Sequence, residues 1–468
     1  MAASTKRKHE PDNKKAKQKR NLVSMDTTDK KLCEFLEWCE KNNFNISPKV
    51  QVSRKGSCAQ YGMVAVEDIA ESYCLFQVPR TCLLTPENST ISDLIEKDKS
   101  NLSATNQWIP LLIALLHEKN DPSSFWSPYL NLFPDFQSLN LPMFWEDSEV
   151  KQLLAGTGVD TAVERDIKMI QDDYNKRVVP FFDTHNQLSG DKRDLDLFKK
   201  MVAFVMAYSF TEPQYKEKDE GSDDEIDEEE EKTMSPPIMV PLADALNHIT
   251  KNNAKLTFGE EALKMVSTRP IKKGEEIFNT YGQVSNLHLM NMYGFAEPYP
   301  DNTNDVVEIP VERVLEAAKD VQPTDSAFLD EKWEFLKSQE VVVDSDVIVL
   351  GQDGILTDET CTQVLKVITM NKTEFKDYRE KEGWSDAESD SSVVESKLDF
   401  ANLHLVESQW KSILKRLAEI HLTKYPTTLK EDQEKIKQVE TFKPRDRFAL
   451  YVAHSQKMLL HQLINLCK

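Results

Sequence analysis

No stretch of the 468-residue chain approaches the ~20 uncharged apolar residues that a membrane-spanning helix requires. The N-terminus carries Lys and Arg but no apolar stretch of the kind a secretory signal needs, so the sequence predicts a protein that is not exported and has no membrane partner. Its seven cysteines, at positions 33, 39, 58, 74, 82, 361 and 467, are odd in number, scattered and without a CxxC pair. That pattern argues against a disulfide framework and a structural zinc site, and fits a reducing compartment. No internal repeat is evident.

Hydrophobic residues make up 40% of the chain, enough for a substantial core, and the usual size of domains predicts two or three units. The net charge of −21, from 58 basic and 79 acidic residues, is unevenly spread. Residues 1 to about 25 hold Lys6-Arg7-Lys8, Lys14-Lys15 and Lys17-Gln18-Lys19-Arg20 with almost nothing apolar, so a disordered basic tail is expected. Two basic clusters at this spacing read as a bipartite nuclear import signal, which predicts a nuclear protein. The acidic remainder argues against direct nucleic-acid binding.

From Asp29 the pattern turns helical, with Leu32, Phe35, Leu36 and Cys39 at i, i+3, i+4 and i+7 on one apolar face. Val50 to Val52, Tyr61 to Val66 and Tyr73 to Pro79 are short runs rich in β-branched and aromatic residues, which read as strands. Helical periodicity follows in Trp108 to His117, Val150 to Leu154 and Leu197 to Tyr208, so a helical insert is expected over about 91–235. Within it Glu217 to Glu231 is almost wholly acidic and predicts a disordered loop, bounded at 216–232. Strand-like runs resume at Ile238 to Val240, Ala262 to Val266 and Glu276 to Phe278, and end near Pro300. Beyond Pro310 the chain is helical again, with Phe448, Val452, Leu459 and Leu463 along one face and a Ser/Asp/Glu-rich stretch, Ser385 to Ser396, predicted to be a mobile loop.

The densest set of unusual choices lies between 240 and 300: Pro241-Leu242-Ala243-Asp244-Ala245-Leu246-Asn247-His248, Gly274-Glu275-Glu276-Ile277-Phe278-Asn279-Thr280-Tyr281-Gly282 and Tyr293-Gly294-Phe295. Polar groups occur here where apolar strands converge. An Asn-His pair followed by Gly-Glu-Glu-Ile and a closing Tyr resembles the signature of the SET-domain methyltransferases. Ser127 to Leu130, Phe144-Trp145 and Leu154 to Thr157 are similar to the helical insert of the Rubisco-methyltransferase-like branch, which also has a helical C-terminal domain and lacks zinc-binding cysteines. The similarity extends over nearly everything from about residue 30. Alone, a Tyr-Gly or an Asn-His pair means little; the ordered set is specific.

The resemblance implies an α+β protein: a β-rich SET fold over residues 26–305 with a helical insertion, followed by an all-α substrate-binding domain over 306–468. It implies methyl transfer from S-adenosylmethionine to a protein lysine. Such an amine must be neutral to attack although its reference pKa is ~10.4, and an apolar, aromatic channel favours the neutral form. Tyr281 is the implied catalytic residue. The implied cofactor-binding residues are Ala59, Gln60, Tyr61, Tyr208, Asn247, His248, Tyr293 and Phe295; Trp108, Ser209 and Thr211 match the peptide and lysine channel. Gln60 departs from the branch, which often has Gly there; if the position needs a positive φ, Gln is costly. No metal is expected, because no second His or Cys stands at ligand spacing from His248.

Substrates implied by the resemblance are nuclear proteins bearing a target lysine, a Rel-type transcription factor or a histone variant, with a single methyl added. The acidic loop after Thr211 is a candidate attractor of basic peptides, against a plain solvated spacer. Two rival readings stay open: a SET-like binding module without catalysis, and methylation of histidine.

Overall fold

A computed structural model describes residues 30–53, 56, 61–102, 107–132, 140–185, 188, 194–213, 235–380 and 398–468. The basic tail, Ala59 and Gln60, the acidic loop Glu217 to Glu231 and the Ser385 to Ser396 stretch lie outside them. The chain divides into two compact units: residues up to Phe136 with Gln171–Thr280, and Gln137–Ile170 with Tyr281–Lys468. Among the described residues, no helix is long and apolar enough to cross a membrane.

The first unit carries the strands. A four-stranded antiparallel sheet has the order β1 (Asn45–Ile46), β4 (Cys74–Pro79), β8 (Ala262–Ser267), β7 (Ala254–Phe258). A three-stranded sheet joins β2 (Val50–Ser53), β3 (Gly62–Ala65) and β9 (Glu276–Ile277), and a third, small sheet pairs β5 (Ser209–Thr211) with β6 (Pro237–Met239). The sequence runs read as strands coincide with β2, β3, β4, β6, β8 and β9. Alternation explains them: in β2 Val50 and Val52 turn inward while Gln51 and Ser53 stay half-exposed.

Three helices of this unit frame the sheets. α1 (Lys30–Lys41) buries Leu32, Phe35, Trp38 and Cys39 on one face. α2 (Ile109–Asn120) and α3 (Leu195–Tyr208) are apolar nearly all round, the pattern of helices buried on every side. Asp194 caps α3 by accepting from the Asp196 N–H at 2.8 Å.

The second unit is helical. Its helices include α4 (Asn286–Tyr293), α5 (Glu312–Val321), α6 (Ser326–Ser338), α7 (Asp358–Thr369), α8 (Ser408–Leu422) and α9 (Pro444–Leu466), and α8 packs against α5 and α9. One antiparallel ribbon, β10 (Val307–Pro310) with β11 (Val347–Leu350), is added to them and buries Val307, Ile309, Ile348 and Leu350. On α9 four consecutive polar residues are buried, His454, Ser455, Gln456 and Lys457. Ser455 donates to Asp305, Gln456 Nε2 to the Thr157 carbonyl at 3.0 Å, and Lys457 Nζ to Asp432 at 2.6 Å.

Candidate active-site residues

In the first unit the Asn-His pair follows a tight turn. Leu242 is buried with φ of 77° and ψ of −39°, a positive-φ backbone that side chains other than glycine's rarely adopt. A single 3₁₀ turn, Ala243–Ala245, delivers the chain to Asn247. Asp244, inside that turn, is buried and accepts from the Tyr129 hydroxyl at 2.5 Å. Burial pushes its carboxyl up to about 8.

Asn247 and His248 are almost wholly buried. Asn247 Nδ2 donates to the Tyr61 carbonyl at 3.1 Å and to Glu276 Oε1 at 2.7 Å. The Asn247 carbonyl accepts from the Asn279 N–H at 2.9 Å, beside a parallel bridge between His248 and Asn279. The imidazole of His248 is pushed down to about 4 by burial, so it is neutral at physiological pH. Among the described residues no group of three His, Cys, Asp or Glu could hold a metal ion.

The backbone around this pair is pegged from two sides. Asn253 donates through Nδ2 to the Glu276 carbonyl at 2.9 Å and accepts at Oδ1 from the Phe278 N–H at 2.7 Å. Gly62 stands in close approach: a Cβ there would lie 2.6 Å from Glu276 Oε1, 2.9 Å from Gly56 Cα and 3.0 Å from Asn247 Nδ2. Only glycine leaves room for the Asn247–Glu276 pair.

The other expected residues of this unit are spread over α2, α3 and β5. Tyr208 ends α3, buried, its ring 5.4 Å from Phe204; burial first and the neighbouring Asp244 charge second hold its hydroxyl protonated. Ser209 pairs with Met239 and is half-buried, while Thr211 pairs with Pro237 and is exposed. Trp108 is half-buried immediately before α2.

The second unit gathers the expected aromatics. Tyr281 and Tyr293 stack with ring centroids 4.5 Å apart and planes at 24°. Phe295 stands edge-on to Tyr281 at 6.4 Å, and Phe448 of α9 packs on Phe295 at 6.3 Å. Tyr281 is half-buried, and burial pushes the Tyr293 hydroxyl up to about 12. Stacked and edge-on arrangements suit the ring quadrupoles and add to the burial of apolar area.

A polar knot fixes this aromatic group. Ser285 caps α4 by accepting from the His288 N–H at 3.4 Å, and Gly294 ends the helix in the left-handed region at φ of 74°. Asn286 donates from its backbone and side chain to Asp305, both at 2.9 Å. Its amide also bonds both backbone groups of Glu297, at 3.0 Å to the carbonyl and 2.9 Å from the N–H. Tyr281 and Phe295 therefore flank a rigid segment.

Sequence reasoning missed Glu276, Asp244, Tyr129, Phe448 and the Asn286–Asp305 knot. Glu276 and Asp244 lie inside the quoted motifs, where a carboxylate in an otherwise apolar run was the available signal. Asn253 stands outside those motifs and carries no such signal.

Residues 60–282 match the SET domain family model, and residues 323–460 match the model described as Rubisco LSMT substrate-binding. The chain is 43% identical to N-lysine methyltransferase SETD6 of Rattus norvegicus, covering 92% of this chain and 89% of that one. It is 41% identical to the Xenopus laevis protein of that name over 93% of this chain and 94% of the other, and 39% identical to the Homo sapiens protein over 92% and 94%. Two solved structures share the fold at 16% identity and a TM-score of 0.62. One is the SET domain of LSMT bound to lysine and AdoHcy, covering 93% of this chain and 90% of that one; the other is Rubisco LSMT bound to AdoMet, covering 94% and 92%. With identity of this order along nearly its whole length, the chain belongs to the SETD6 family of SET-domain N-lysine methyltransferases.

Proposed function

We propose that this methyltransferase moves the methyl group of S-adenosylmethionine to the Nζ of a lysine on a nuclear protein, a Rel-type transcription factor or a histone variant, and stops at one methyl. S-adenosylmethionine supplies an activated sulfonium methyl; the lysine N–C bond forms as the S–C bond breaks, and the amine proton is released. The observation that carries the reading is the ordered set Asn247-His248, Glu276-Ile277 and Tyr281 in a chain 43% identical to a named N-lysine methyltransferase. The first unit fits the donor: Gly62 leaves bare backbone beside Tyr61, and Asn247 and His248 present polar groups from a buried turn.

The work of the chain is to align and to dry. Tyr281 is the residue assigned to the reaction, its hydroxyl orienting the amine, and an apolar, aromatic surrounding favours the uncharged amine. A neutral His248 and a protonated Tyr208 add no charge of their own. The N-terminal basic clusters support a nuclear substrate. Tyr208, Tyr293 and Phe295 with Tyr61, and its neighbours Ala59 and Gln60, are assigned to the cofactor, and Trp108, Ser209 and Thr211 to the substrate channel.

Transfer of labelled methyl from S-adenosylmethionine to nuclear extract proteins tests this. Wild type labels a lysine to the monomethyl stage, and Tyr281→Phe lowers labelling by roughly 100-fold, the scale of one oriented group in a transition state. Equal labelling by both proteins removes Tyr281 from its role; labelled histidine instead of lysine overturns the acceptor.

A further inference from the structure

We infer that Glu276 is a positioning residue for the methyl donor, acting through Asn247 by fixing which way its side-chain amide faces. The inference rests on the proposed binding of S-adenosylmethionine beside Asn247.

An amide side chain has two N–H donors on one atom and an acceptor on the other, and nothing in its shape decides between its two orientations. Here both N–H groups are committed, one to the Tyr61 carbonyl at 3.1 Å and one to Glu276 Oε1 at 2.7 Å. A carbonyl and a carboxylate can only accept, so the nitrogen must face them. The oxygen Oδ1 is thereby turned the other way, where it accepts from no described side chain. A donor on the bound ligand then meets an acceptor rather than another N–H. Remove the carboxylate and the Tyr61 carbonyl alone holds the amide, with one N–H left over.

The surroundings are shaped for this pair. β3 pairs antiparallel with β9 so that Val64 stands opposite Glu276, and Asn253 clamps the Glu276 carbonyl from behind at 2.9 Å. Gly62 has no Cβ where one would collide with both Glu276 Oε1 and Asn247 Nδ2. A charge-assisted bond of 2.7 Å between a buried amide and a half-buried carboxylate is among the stronger kinds.

Titration calorimetry of the full chain with S-adenosylmethionine, alongside methyl-transfer kinetics, tests the inference. Glu276→Ala weakens binding by roughly tenfold, the scale of a hydrogen bond to a charged group. The Michaelis constant for S-adenosylmethionine rises in step, while kcat at saturation changes by less than about threefold. Glu276→Gln keeps an acceptor at Oε1 and stays within about threefold of wild type. The decisive measurement is the double variant Glu276→Ala with Asn247→Ala, which binds no more than about twofold worse than Asn247→Ala alone, because the carboxylate has lost what it orients. A circular-dichroism melt of each variant excludes unfolding as the cause. Losses that multiply, or a Glu276→Ala protein with wild-type affinity, overturn the positioning role. Wild-type protein that takes up no S-adenosylmethionine overturns the cofactor reading and this inference with it.

Discussion

The polar turn of the first unit and the aromatic group of the second are built by opposite means. Asn247 is held by directional bonds, each of its amide N–H groups and its carbonyl matched at 2.7–3.1 Å, so what is fixed is an orientation. Tyr281 is held by the faces and edges of Tyr293 and Phe295, so what is fixed is a position in a dry surface. Ring contacts tolerate small slides, whereas a hydrogen bond below 3 Å does not. The aromatic group makes up for this with a polar knot behind it, where Asn286, Asp305 and Ser455 lock the segment carrying the rings. Orientation is built into the first cluster and borrowed by the second.

The sharpest way to break the contrast is to untie the knot. Asp305→Ala leaves the backbone and side-chain N–H groups of Asn286 and the Ser455 hydroxyl buried without their acceptor, at a cost of about 1–3 kcal/mol for each. Thermal unfolding should start on the order of 10 °C lower. A melt indistinguishable from wild type would mean that ring packing alone suffices.

Gly62→Ala probes the directional cluster with a single methyl. Since one of the atoms it meets is Gly56 Cα, 2.9 Å away, the strain cannot be relieved by a swinging side chain alone. The expected cost is about 1–3 kcal/mol of strain and roughly tenfold weaker S-adenosylmethionine binding, read by calorimetry. Unchanged binding would show that the cluster is softer than its distances.

The smallest effect concerns Asp244. Its folded carboxyl is pushed up to about 8 from an ordinary 3.8, so the folded state keeps a proton that the unfolded chain has released. The contribution to stability is full below about pH 4 and is lost as pH rises towards 8. Asp244→Asn, which can still accept from Tyr129, should flatten the decline in unfolding midpoint between pH 6 and pH 8. A variant that declines as steeply as wild type would assign the slope to other groups.

Much of this was legible in the sequence because the signals were local. Alternation in Val50 to Val52 and the β-branched runs marked the strands; the order of Asn247, His248 and Tyr281 marked the candidate site. What escaped depends on register and on distant partners. That Glu276 meets Asn247 follows from the pairing of Val64 with Glu276, which no spacing within Gly-Glu-Glu-Ile reveals. Asp305 and Ser455 find each other across α5 to α8, and Phe448 reaches Phe295 over a similar gap. In Phe448 the periodicity disclosed an inward face but not which ring it would touch.

The run of buried polar residues on α9 bears on how this protein is made. Ser455, Gln456 and Lys457 reach Asp305, Thr157 and Asp432, three places far apart in the sequence, from three successive positions of one helix. A polypeptide interrupted before Ser455 would lack the Ser455 hydroxyl that donates to Asp305 and the Lys457 ammonium that donates to Asp432. Closing the interior of the helical unit therefore needs the last helix of the chain, and nonsense changes upstream of it are expected to yield material destined for degradation rather than a shortened enzyme.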